Sequence, residues 1–108
     1  MSKATKKLGV ETLTDVVSKL EHIRGVSYTF IDEKYGSGPQ VGVIAQELQQ
    51  VFPELVVQME NGYLGVDYLH LSGVLVQAIK EQQKEIEDLK TQMQNQQHQI
   101  NEIIKKLK

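Results

Sequence analysis

The chain has 108 residues, a formal net charge of −2 and no cysteine. That length allows one domain with a modest core, because small domains bury a smaller share of their surface than large ones, so association is expected to add stability. The missing cysteine excludes disulfides and thiolate chemistry, the near-neutral balance argues against nucleic-acid binding, which needs a basic face, and no apolar run approaches the roughly 20 residues of a membrane span.

Met1 to Lys7 lacks the apolar stretch of a signal peptide, and Lys3, Lys6 and Lys7 form the basic cluster near the start. Leu13, Val16, Val17, Leu20 and Ile23 then recur at helical spacing. Thr12 with Asp15 fits a helix-opening box, and Gly25 ends the helix. Val26, Tyr28 and Phe30 alternate with Ser27 and Thr29 and run into Ile31, which predicts a strand. Gly36, Ser37, Gly38 and Pro39 predict an exposed loop, with a second strand from near Val41. Ile44, Leu48 and Val51, spaced by Gln46, Glu47, Gln49 and Gln50, predict a short helix over 43–51 that closes before Pro53. Leu55 to Met59 and Tyr63 to Val66 flank Asn61-Gly62, a strong hairpin signal. Asp67 is placed to cap a final helix that runs to Lys108, about 60 Å long at 1.5 Å per residue, and from Val74 onward neither Pro nor Gly interrupts it.

The final helix carries heptads. With Ile79 at position a, Ile86, Met93, Ile100 and Leu107 share its column, while Leu75, Gln82, Leu89, Gln96 and Ile103 occupy d. Glu85 at g and Lys90 at e have the spacing that pairs neighbouring parallel chains. A surface helix packed on its own domain is the alternative, but so narrow a seam over several heptads exceeds what one small domain covers. Leu at d with Ile at a favours two chains and Ile103 at d favours three, so the heptads leave both open. Gln82 and Gln96 either bond to their copies around an axis or are tolerated polar positions.

Other chemistry is sparse. His22, His70 and His98 are too widely spaced for a metal site, and His98, at f, is expected to be solvated. Glu21, Glu47, Glu54 and Asp67 have no acid–base spacing and read as surface groups or caps. Gly36, Gly38 and Gly42 precede no Gly-Lys-Ser or Gly-Lys-Thr, so nucleotide binding is not expected, and no cofactor is.

Five stretches in order carry a family resemblance: Arg24-Gly25-Val26-Ser27-Tyr28, Val41 to Glu47 (VGVIAQE), Val51 to Val56 (VFPELV), Gly62 to Tyr68 (GYLGVDY) and Gln77 to Glu81 (QAIKE). Together they resemble the C-terminal intramolecular chaperone domain of phage endosialidases, tail spikes and tail fibres, a self-cleaving serine peptidase domain also found in myelin regulatory factor-like proteins. The resemblance covers nearly the whole chain. It implies a homotrimer that aligns three copies of an N-terminal passenger of the same polypeptide, often a triple β-helix, and then cuts itself off before a Ser through a Ser and Lys pair. The family motif runs Ser-Asp-x-Arg-x-Lys. Ser2 and Lys7 keep the pair, while Lys3 stands in place of the Asp and Thr5 in place of the Arg.

The implied fold is α+β: a small helix and β-hairpin module over 1–66, with the cleavage motif at 2–7, and a long helix over 67–108 that forms a parallel trimeric coiled coil from about residue 72. The catalytic pair makes chemical sense, because a Ser hydroxyl is a weak nucleophile and a Lys amine takes its proton only when neighbouring cations or burial lower its pKa, as Lys3 and Lys6 would for Lys7. From the residues alone, Ser2 to Lys7 equally fits a solvated basic tail. Only Met1 precedes Ser2, so the chain is expected to represent the released domain. Assembly is expected in the host cytoplasm, with the loop at Gly36 to Pro39 or the hairpin at Asn61 reaching the passenger. Two further readings stand beside this one: a non-cleaving trimerisation stalk, and the oligomerisation module of a myelin regulatory factor-like protein that binds DNA elsewhere in its chain.

Overall fold

A helix needs an acceptor for its first free amides, and Asp67 supplies it: its Oδ1 accepts the His70 amide at 3.1 Å. The computed structural model, which describes residues 6–108, shows this helix, α3, as Tyr68–Lys106, 39 residues without a break. At 1.5 Å per residue it spans about 58 Å, and it dominates an elongated molecule of 75 × 43 × 22 Å.

The rest of the chain folds against the first turns of α3. In order come α1 (Val16–Leu20), β1 (Val26–Tyr28), β2 (Gln40–Gly42), α2 (Ala45–Gln49), β3 (Val56–Gln58) and β4 (Leu64–Val66). β1 and β2 pair antiparallel with Ser27 opposite Val41, and β3 and β4 pair antiparallel with Val57 opposite Gly65. The second hairpin turns through Asn61 and Gly62, at φ of 61° and 79°, and the Met59 amide closes it on the Tyr63 carbonyl at 2.7 Å. The architecture is α+β, as expected.

Three elements are shorter than the sequence predicts. The helix expected from Leu13 to Ile23 is α1 alone. The Thr12–Asp15 box does not cap it: Asp15 sits at φ 55°, its side chain makes no cap bond, and Leu13 is 40% exposed. The strand expected to reach Ile31 stops at Tyr28; Ile31 is exposed, and Phe30 turns back to stack edge-on against Tyr28 at 5.2 Å. The helix over 43–51 shrinks to Ala45–Gln49, after which Pro53–Leu55 forms a separate 3-10 turn.

The core gathers Val16 from α1, Leu48 from α2, Phe52 and Leu55 from the connecting turn, and Leu71, Val74 and Ala78 from α3. Val16 and Leu48 are fully buried. Close approach favours glycine at position 42: a Cβ there would meet the Tyr68 hydroxyl, which accepts the Val43 amide at 3.2 Å.

Candidate functional site

Two faces of α3 differ in burial. Leu71, Val74 and Ala78 are buried against the module. The predicted seam lies elsewhere on the same helix. Leu75, Ile79, Ile86, Leu89, Met93, Ile100, Ile103 and Leu107 are between 45% and 80% exposed, and Gln82 and Gln96 are exposed with them. At 3.6 residues per turn, the seam at Leu75 to Ile86 lies about 80° around the axis from the buried face. All ten seam positions fall on one side of the helix and remain exposed. So long an exposed apolar column is uncommon on a monomeric chain.

α1 is bound to this helix by a contact its own sequence does not announce. Glu81, on α3, accepts the Val17 amide at 2.9 Å on Oε1 and the Val16 amide at 3.0 Å on Oε2. The carboxylate thus satisfies the free amides that Asp15 leaves, and these bonds hold Glu81 below its ordinary pKa. A shallow groove of about 450 Å³ lies beside this contact, between α1 and the seam.

A second carboxylate, Glu47 on α2, is clasped by Arg24. Its Oε2 accepts from Nε at 2.9 Å and from Nη2 at 2.6 Å, and its Oε1 accepts the Arg24 amide at 3.2 Å. The guanidinium lowers the Glu47 pKa. This pair ties the entry of β1 to α2, so Glu47 is more than the solvated group its spacing suggested. Asp67 is the cap expected of it, and its Oδ2 also meets His70 Nδ1 at 2.6 Å.

The hairpin at Asn61 is tied to the turn just before the Gly36 to Pro39 loop. Glu60, at the hairpin tip, meets Lys34 Nζ at 2.6 Å and accepts from the Tyr35 hydroxyl at 3.2 Å. Behind them an apolar hollow of about 420 Å³ opens between the hairpins, lined by Tyr28, Phe30, Tyr35, Met59, Leu64 and Tyr68 among others.

Of the pair expected to be catalytic, Lys7 is exposed on the segment leading to α1, and Ser2, with Lys3 and Thr5, lies outside the described residues. No group of three His, Asp or Glu side chains positioned to hold a metal occurs among the described residues, and no helix among them is long and apolar enough to cross a membrane.

A family model described as the chaperone of endosialidase matches residues 2–57, just over half of the chain. The chain belongs to the endosialidase chaperone family. The match runs from the Ser2 motif through α1, the first hairpin and α2 into β3, so it takes in Arg24, Glu47 and the whole of the core contributed by α1 and α2. α3 lies beyond it. The exposed column on α3 is thus an observation separate from membership of the endosialidase chaperone family. No curated protein matches the chain closely enough to count as a relative.

Proposed function

We propose that this endosialidase chaperone domain joins three copies in parallel through the exposed column of α3, aligns an N-terminal passenger of the same polypeptide, and is released by a cut before Ser2. The column carries the proposal. Eight apolar side chains, 45% to 80% exposed, lie on one side of a helix whose own module packs on another face. Chains meeting along that side remove it from water, and the family resemblance implies three of them. Glu85 and Lys90 have no ion-pair partner among the described residues of their own chain, as g and e residues that pair between chains require.

Alignment helps because strand pairing between separate chains carries a large entropic cost before its contacts form, and tethering raises the local concentration. The loop at Gly36 to Pro39 or the hairpin at Asn61 reaches the passenger, and the Lys34–Glu60 ion pair holds the hairpin beside the base of that loop. In the cut, Ser2 Oγ attacks the preceding carbonyl carbon, the Lys7 amine takes the hydroxyl proton and passes it to the departing Ser2 amine, and water then hydrolyses the ester.

Sedimentation of the chain at micromolar concentration tests the first step: three-chain assemblies are expected, and a monomer overturns the proposal. For the second, the chain is expressed behind its upstream passenger, and fragments ending before Ser2 are sought in wild type, Ser2→Ala and Lys7→Ala. Cleavage in wild type alone is expected. Lys3 and Thr5, in place of the motif's Asp and Arg, favour a second reading, a stalk that stays attached, and an intact wild-type product would establish it.

A further inference from the structure

The flank of α3 beside the seam is not bare. Val17 and Leu20 of α1 form one wall of the groove there, and Leu75, Ala78 and Ile79 form the other. Leu75 and Ile79 belong to the d and a columns, and Ala78 is at g. In a parallel coil, the g flank of one helix faces the e flank of its neighbour. The e column is apolar at this height: Leu69 is 78% exposed and Val76 56%. Neither is explained by the a and d seam.

Within one chain, Val76 lies about 160° around the axis from Ala78, so it faces away from α1. In an in-register assembly, residues of equal number share a height. The groove is centred between Ala78 and Ile79, so Val76 of the neighbour lies within about 4 Å of it along the axis, nearer than any other e residue.

We propose that Val76 of a second copy seats in the groove between Val17 and Leu20. The inference rests on the parallel association proposed above and deepens it. α1, which Glu81 fastens to its own α3, becomes part of the contact between chains, and each module then braces the helix of its neighbour. Association of the helices then adds an apolar contact to each module.

The chain has no cysteine, so introduced thiols report contacts without background. The full chain carrying Leu20→Cys and Val76→Cys is oxidised and run on a non-reducing gel, beside each single variant and beside Leu89→Cys, which reports parallel d positions independently. Covalent multimers from the double variant, at least tenfold more than from Leu20→Cys or Val76→Cys alone, are expected. Cross-linking of Leu89→Cys without the double variant's product overturns the groove contact and leaves the parallel association standing. Failure of both overturns both. Because Leu20 packs partly against the core, Glu21→Cys at the groove rim, paired with Val76→Cys, gives the same reading if circular dichroism shows that Leu20→Cys has lost helix.

Discussion

Glu81 accepts the Val17 amide at 2.9 Å across 64 residues of sequence, so the first helix is capped by the last. Glu81→Gln keeps an acceptor but removes the charge and one of two equivalent oxygens, while Glu81→Ala removes both bonds. Amide exchange at Val16 to Leu20 is expected to accelerate in the order wild type, Glu81→Gln, Glu81→Ala, with α3 beyond residue 90 unaffected. Equal protection in all three would show that the cap contributes nothing.

Acid should weaken the module. Glu81, Glu47 and Asp67 are each held below their ordinary values, 4.5 for the glutamates and 3.8 for the aspartate, by the Val17 and Val16 amides, the Arg24 guanidinium and the His70 amide respectively. The unfolded chain takes up these protons first as pH falls, so the stabilisation is complete above about pH 5 and is lost as pH drops through the folded values. Denaturant midpoints measured from pH 6 to pH 3 should decline, and Glu81→Gln should flatten the decline. A midpoint independent of pH over this range would contradict it.

Gly42 should resist even one methyl group. Gly42→Ala drives a Cβ into the Tyr68 hydroxyl and ring, and is expected to destabilise by about 1–3 kcal/mol, the usual cost of overpacking. Tyr68→Phe removes the hydroxyl, so the same substitution should cost less in that background. Urea denaturation of the four chains reads the coupling, and strict additivity would refute the contact.

Core and column substitutions should separate. Leu48, fully buried, should lose about 2–5 kcal/mol on truncation to Ala through transfer and cavity terms. Leu89→Asp touches no core residue, so it should leave the module folded while abolishing assembly in sedimentation. Helical circular dichroism from the end of α3 should fall with it, because a lone helix lacks the packing that stabilises it. An assembled Leu89→Asp chain would place the interface elsewhere.

Local chemistry was legible in the residues: Asp67 before a long periodic run, and Asn61-Gly62 between apolar stretches. Periodicity overreached where stability comes from a distance. Leu13 to Ile23 has helical spacing throughout, yet only Val16–Leu20 is helical, since the cap comes from Glu81 and not from the Thr12–Asp15 box. The Arg24–Glu47 clasp was likewise invisible, because two charged residues 23 positions apart carry no periodic signal. Both residues do fall within the stretches that carried the family resemblance. Ser2 was found through its motif alone and lies outside the described residues.

After Gly73 the helix that holds the module and the seam has no glycine or proline through Lys106, so it works as a shaft with a fixed phase. One residue inserted between Lys84 and Glu85 would turn the module by about 100° relative to the column, whereas seven would restore its bearing to within about 20°. In the three-chain assembly proposed above, the angular setting of the modules around their common axis would be written in the count of residues between Ala78 and Ile86, and the shaft would keep that setting only when lengthened in whole heptads.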